Sequence, residues 1–395
     1  MASDILAKAL QIKDSIAQAK HRIHREPELG MKEFATTAFV RSELEKMGIG
    51  TIPLSLDVGV LGIIRGEKGG PGRTVALRAD MDALPIQETT DAPDRSIVPG
   101  VMHACGHDAH TAMLLGAAKI LSSMKDAFSG TVRLIFQPAE ETLDGSTYMI
   151  EQGALGRPEA DVIMGIHAIS TYRVGEIALR EGPSMASSDF FTVRMTGTAG
   201  HGAYPHRVGS DAVLAAANAV MAIQSIVTRQ IDAIDSVVIS VCEIHGGTAK
   251  NIIPATTEFS GSVRCQNPET RKTIEGRIRN VVEGIAGTYL CRADLEYHYG
   301  VPPLVNAPEA TAIARRSAEK IVGSENVRRI DVPAMGSEDF SRYLEHVPQG
   351  VFARLGIGIP GADPQLFHNG DFFFPDEALP FGTALFVQFV LDINS

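Results

Sequence analysis

The chain has little cysteine, no excess of positive charge and no long uninterrupted apolar run, and each shortage removes a class of function. Four cysteines in 395 residues (Cys105, Cys242, Cys265 and Cys291) are too few and too irregularly spaced for a disulfide framework, so a reducing compartment is expected. Asp and Glu outnumber Lys and Arg by 47 to 36, a formal net charge of -11, which disfavours a surface built for phosphate backbones or anionic lipid. Nucleic acid is not an expected partner. The opening MASDILAKALQIKDS scatters charges among its apolar positions, and the longest small-apolar stretch, 212–223, is broken by Asn218 and too short to span a bilayer. The expectation is a cytoplasmic protein without a membrane anchor. Repeats and low-complexity tracts are lacking too, while 44% hydrophobic and 21% charged residues describe an ordinary folded chain.

At this length, two domains or one domain with a large insertion is expected. Ile5, Ala9, Ile12 and Ile16 recur at helical spacing behind Ser3 as N-cap, predicting an amphipathic helix packed on a sheet. Short β-branched runs at 74–77, 131–136, 161–166 and 351–355 are separated by helical segments such as 111–124. That alternation predicts an α/β domain with a largely parallel sheet. The rhythm changes between 184 and 299, where the order reads strand, helix, strand, strand, helix, strand. This is the ferredoxin-like order, flanked by the turn chemistry of Glu181-Gly182-Pro183 and Val301-Pro302-Pro303. The predicted organisation is an α/β domain in two parts, 1–183 and 300–395, interrupted by a small inserted domain at 184–299.

Polar residues gather where the predicted strands end. Arg78-Ala79-Asp80-Met81-Asp82 follows the first run, Gln137-Pro138-Ala139-Glu140-Glu141 the second and His167 the third. In a parallel sheet the carboxyl ends of the strands form the ligand crevice, so these clusters are expected to converge. The segment 103–110, HACGHDAH, adds a thiol and three imidazoles just ahead of a helix. Cys105 and His107, two apart in a Gly-containing loop, can reach one borderline-soft divalent metal; the bland account is a Cys buried as a small hydrophobe beside helix-capping histidines. Of the adjacent Glu140 and Glu141, one can ligate a metal while its neighbour accepts a proton from water. Adding His167 and His368 gives five donors with Cys105, His107 and Glu141. That exceeds one tetrahedral site and points to a two-metal hydrolase centre.

Read in order, the strings HREPELG (24–30), RADMDALP (78–85), HACGHDAH (103–110), QPAEE (137–141), GTAGHGAYPH (197–206), NIIP (251–254), MGSEDF (335–340) and FHN (367–369) resemble one enzyme group. It is the amidohydrolase branch of the aminoacylase/carboxypeptidase metallopeptidase family, which includes hippurate hydrolases, N-acyl-amino-acid amidohydrolases and indole-acetyl-amino-acid hydrolases. The resemblance spans nearly the whole chain and implies a metal-dependent exopeptidase-like catalytic domain with a dimerising satellite. It implies two divalent metal ions per subunit held by Cys105, His107, Glu141, His167 and His368, with Glu140 as general base. It also implies that His201 polarises the scissile carbonyl, usually from the partner subunit of a homodimer; a tetramer is the larger assembly considered. Asn251 would lie near the substrate's oxygens, and Arg264 is the candidate for its carboxylate.

One position departs from the wider family, many of whose members have His-x-Asp where this chain has Arg78-Ala79-Asp80. Arginine cannot ligate a metal. Asp80, counted here among the catalytic candidates, would then orient a ligand or pair with Arg78. By donor type the metals would be zinc or cobalt, with manganese drawn from bacterial relatives and nickel a further option. The expected reaction is hydrolysis of the amide bond of a small N-acyl amino acid (N-acetyl, N-benzoyl or similar), with a metallo-exopeptidase acting on short peptides as the alternative. A cysteine hydrolase with Cys105 as nucleophile would instead ignore chelators, and a non-catalytic metal binder would have no use for Glu140.

Overall fold

The computed structural model describes residues 4–394, so the expected Ser3 N-cap lies outside the described residues. The chain divides into two compact units. One runs to Gly182 and resumes over Val305–Val332 and from Asp339 onward; the other comprises Pro183–Leu304 and Pro333–Glu338.

The first unit is built on an eight-stranded sheet in the spatial order Gly50–Ile52, Val60–Arg65, Thr131–Gln137, Thr74–Asp80, Val162–Arg173, Gly350–Gly358, Ile177–Leu179, Val327–Arg329. The four central strands are mutually parallel. Every residue of Thr74–Asp80 and Thr131–Gln137 is buried, as expected for β-branched runs covered on both faces by crossover elements. Helices His107–Ser122 and Leu379–Asn394 pack against the central strands. The former is apolar nearly all round and buried from His107 to Ala118, so its first turn is fixed by the core rather than by solvent.

Three expectations change here. The predicted opening helix is two helices, Asp4–Gln11 and Lys13–Arg25, and they pack on Leu379–Asn394 and His107–Ser122 instead of on the sheet. Those two helices already cover that part of the sheet, so Ile5, Ala9 and Ile16 bury in a second layer. The strand expected to stop at 166 continues to Arg173, which puts His167 within it. The helix expected from 111 begins at His107.

The second unit holds an antiparallel sheet in the order Val237–Gly246, Thr256–Cys265, Asp189–Thr196, Arg292–His298. Numbered along the chain this is 2-3-1-4, the ferredoxin-like arrangement. Strict alternation sends Asp189, Phe191, Val193 and Met195 inward. Helices Ala212–Arg229 and Pro268–Thr288 pack on it, capped by Asp211 and Asn267, whose side chains accept from the first-turn N–H groups. Ala212–Arg229 is long and apolar enough by composition to cross a membrane, yet Ala212, Ala215, Ala216, Ala219, Ile223 and Ile226 are buried in this unit's core. Pro333–Glu338, expected with the catalytic part, belongs to this unit: Ala334 N–H donates to Ser184 O at 2.9 Å and Ala186 N–H to Gly336 O at 3.0 Å.

Candidate metal centre and active site

Strand ends deliver two of the polar clusters, and His167 comes from within its strand. Asp80 pairs in register with Gln137 at adjacent strand ends, and His167 lies beside Arg354. Cys105 precedes Gly106, which caps the His107–Ser122 helix with φ 85°, and a Cβ there would meet the Phe374 ring at 3.1 Å. Only glycine turns the chain this sharply between the thiol and the first imidazole. Across from it, the His368 N–H donates to Ala104 O at 2.9 Å, hooking the C-terminal segment onto the Cys105 loop.

All five candidate ligands meet. The donor atoms of Cys105, His107 and His167 lie within 4.8 Å of one another, as do those of Cys105, Glu141 and His368 and those of His107, Glu140 and Glu141. Cys105 Sγ is 3.4 Å from His167 Nε2, and His368 Nε2 is 3.3 Å from Glu141 Oε1. Buried His107 Nε2 has no hydrogen-bond partner, and buried Glu141 Oε1 has only the His368 ring beside it. An unpartnered polar atom is costly to bury unless something fills the space beside it. Burial pushes the Cys105 thiol up to about 12, the opposite of an activated nucleophile, so its thiolate needs a cation beside it. Thiolate, imidazole and carboxylate donors facing one another fit divalent metal.

Several orienting groups escaped sequence reasoning. His107 Nδ1 lies 3.0 Å from Asp82 O and 3.2 Å from Asp82 Oδ1, which turns Nε2 inward, and Asp82 Oδ2 accepts the Glu141 N–H at 3.0 Å. Asp82 thus fixes two candidate ligands at once; its spacing of two from Asp80 at a strand end was the available signal. Ala139 adopts φ 54°, a left-handed conformation uncommon for alanine, and Glu33 Oε1 accepts its N–H at 2.8 Å. That turn aims Glu140 and Glu141. Burial, reinforced by the Asp82 charge, pushes Glu33 up to about 8.

Arg78 is wholly buried and donates to Gln137 Oε1 at 2.9 Å, Asp80 Oδ2 at 2.5 Å and Asp339 Oδ1 at 2.9 Å. Gln137 and the Ser146 N–H also bond Asp339. Burial works against the Asp80 carboxylate, but His107 and Arg78 hold it well below the ordinary range. Asp80 is thus held as an anion by the partners around it.

His201, Asn251 and Arg264 all belong to the second unit. A two-stranded ribbon pairs His201 with Ile252, next to Asn251, and the Gly202 N–H donates to Asn251 O. The Ala203 N–H donates to His201 Nδ1 at 3.1 Å, so the His201 proton resides on Nε2, an outward-facing donor. Arg264 Nη1 bonds Ser337 Oγ at 3.1 Å.

HREPELG is structural in part. His24 Nδ1 lies 2.8 Å from Asp108 Oδ2, in the first turn of the His107–Ser122 helix, and His24 Nε2 is 3.4 Å from Glu88 Oε2. Burial disfavours the imidazolium, yet Asp108 and Glu88 outweigh it and raise His24 from 6.5 to about 10. Because the folded value is raised, this stabilisation is complete below about 6.5 and is lost as pH climbs through about 10. Urea midpoints should accordingly fall from pH 7 to pH 10 by more in the wild type than in His24→Gln. An equal fall in both contradicts the assignment.

A cluster of Cys, His and Glu donors on a parallel-stranded sheet, in a chain that also carries a ferredoxin-like unit, fits the metallohydrolase class of the exopeptidase type. Residues 76–392 match the profile of peptidase family M20/M25/M40, and the chain belongs to that family, in its amidohydrolase branch. It is a hydrolase acting on amide bonds of small molecules. Thermostable carboxypeptidase 2 of Saccharolobus solfataricus is 43% identical over 350 residues, 88% of this chain and 86% of that protein. N-acetyl-L-cysteine deacetylase of Bacillus subtilis is 41% identical over 85% of this chain and 79% of its own, and IAA-amino acid hydrolase ILR1-like 4 of Arabidopsis thaliana 38% over 96% and 86%. Among solved structures, the Bacillus subtilis YXEP protein, described as a dinuclear metal binding peptidase from the M20 family, superposes with a TM-score of 0.85 at 32% identity. The match covers 96% of this chain and 98% of that one.

Proposed function

We propose that this protein hydrolyses the amide bond of N-acyl amino acids, releasing a carboxylic acid and a free amino acid, at a dinuclear centre held by Cys105, His107, Glu141, His167 and His368. The observation that carries the reading is the convergence of those five donors around the unpaired His107 Nε2, with Glu140 adjoining. Divalent cations there, manganese or zinc with cobalt and nickel as alternatives, supply Lewis-acid polarisation of the carbonyl and a more acidic water. Glu140 accepts the proton of the attacking water and delivers it to the leaving amine. The Nε2–H of His201 donates to the developing oxyanion, Asn251 contacts the substrate's oxygens, and the planar guanidinium of Arg264 grips the α-carboxylate. Asp82, Asp80 and Glu33 act through the groups they orient.

The experiment is a panel of N-acetyl, N-benzoyl and indole-acetyl amino acids, each also as its methyl ester, alongside dipeptides. Preference for N-acyl amino acids with a free carboxylate is expected. Faster turnover of dipeptides would favour the metallo-exopeptidase reading, which the carboxypeptidase relative supports. Equal rates on acids and esters would remove Arg264 from its role.

A homodimer of cytoplasmic location completes the proposal, the sparse and unpaired cysteines fitting a reducing compartment. Here His201 serves the partner subunit's centre, so mixing Glu140→Gln with His201→Ala under subunit exchange should restore activity approaching about a quarter of wild-type sites. Exchange without recovery would place His201 in its own chain's chemistry or outside it.

A further inference from the structure

We propose that His110 is a positioning residue for His167, holding Ala168, whose carbonyl sets the His167 ring, and is not itself a metal ligand. The inference rests on the reading of His167 as a ligand given above. Asp80, His107 and His110 form another group whose donor atoms lie within 4.8 Å of one another, so by proximity alone His110 could be counted a sixth ligand. Its hydrogen bonds decide otherwise. His110 is buried one turn beyond His107, and the Ala168 N–H donates to its Nε2 at 3.1 Å. A backbone N–H can only donate, so Nε2 presents its lone pair to Ala168 and the ring proton sits on Nδ1. That proton is donated to Asp80 Oδ1 at 2.7 Å. With one nitrogen accepting and the other donating, no lone pair is left for a cation.

The same bonds reach His167. The Ala168 C=O accepts the His167 Nδ1–H at 2.8 Å, which directs His167 Nε2 toward Cys105 Sγ, 3.4 Å away. The two sides of residue 168 are thus both used: its N–H is anchored by His110 and its carbonyl anchors His167. Asp80 is immobilised in turn by Arg78 at Oδ2 and by Thr111 Oγ1, which donates to the Asp80 carbonyl at 2.7 Å. The result is a continuous path from Arg78 through Asp80, His110 and Ala168 to the His167 ring. The rings of His110 and His167 are 4.7 Å apart, so displacement of one is felt by the other. Groups that hold a metal-binding imidazole by its far nitrogen typically change metal affinity by about 10- to 100-fold when removed.

Two substitutions separate the roles. His110→Phe keeps ring volume but removes both bonds, whereas His110→Gln keeps an acceptor within reach of the Ala168 N–H. Metal binding is read by calorimetry and by elemental analysis after dialysis. His110→Phe should weaken one of two metal equivalents by about 10- to 100-fold, and His110→Gln should recover most of that loss. Added to His167→Ala, His110→Phe should cost nothing further, because the group it acts through is gone. Additive losses, or equal weakening of both equivalents, overturn the proposal alone. If His167→Ala itself leaves metal binding intact, the ligand reading of His167 fails and the proposal falls with it. Nitrogen NMR of the full-length wild type gives an independent readout: Nδ1-protonated His110 is expected, and an Nε2-protonated ring overturns the proposal even if His110→Phe does not fold.

Discussion

Replacing Glu140 by Gln should lower turnover of an N-acyl amino acid by about 10²- to 10⁴-fold while leaving metal content near that of the wild type. The reasoning is local. Glu140 and Glu141 leave the same left-handed turn at Ala139, yet the Glu141 N–H is held by Asp82 and Glu141 Oε1 faces His368 and His107. On the proposed function Glu141 is thereby committed to the donor cluster, and Glu140 beside it is the group that carries the proton. An amide at 140 keeps size and polarity but cannot accept a proton. Glu141→Gln should invert the pattern, losing metal first and activity as a consequence. Elemental analysis alongside single-turnover kinetics distinguishes the two, and joint loss of metal and activity in Glu140→Gln would make Glu140 a ligand.

Arg78→Met should destabilise the fold by about 3–5 kcal/mol, the cost of stripping the counter-charge from a buried ion pair. Both Asp80 and Asp339 are wholly buried and share this guanidinium, so the variant strands two carboxylates in the core. Lysine is no remedy, because one ammonium cannot reproduce the three-way fork to Gln137, Asp80 and Asp339. Metal affinity should fall together with stability, since Asp80 also anchors His110. Urea unfolding measures the first effect and calorimetry the second. A loss below about 1 kcal/mol would mean that the carboxylates find other partners or take up protons.

The convergence of the candidate donors was legible because chemistry and topology agree in short stretches. Apolar β-branched runs leading into Asp80 and Glu140-Glu141 announce strand ends in a parallel sheet, the run before His167 announces a strand that in fact continues to Arg173, and Cys105-Gly106-His107 announces a tight turn bearing two donors. The groups that orient those donors were not legible for a physical reason. Gln137 and Asp339 meet at Arg78 across about 200 residues of chain, a pairing that no local pattern encodes. The helical spacing of Ile5, Ala9 and Ile16 shows that a face is buried but not what buries it, and the cover proved to be helices. For the same reason Pro333–Glu338, which has no periodicity, gave no sign of joining the second unit through backbone bonds to Ser184 and Ala186. In the HACGHDAH string, three equivalent-looking imidazoles divide by partner: His107 Nε2 is left unpaired, His110 is bonded at both nitrogens, and neither ring nitrogen of buried His103 has a hydrogen-bond partner.

The central claim is that amide hydrolysis depends on metal held by this cluster. It is tested most directly by metal analysis of the purified chain, followed by assay of an N-acyl amino acid before chelation, after it and after metal is restored. The account predicts about two divalent ions per chain, loss of turnover on their removal, and recovery with added manganese or zinc. Full turnover in the metal-free protein, abolished instead by alkylation of Cys105, would contradict it.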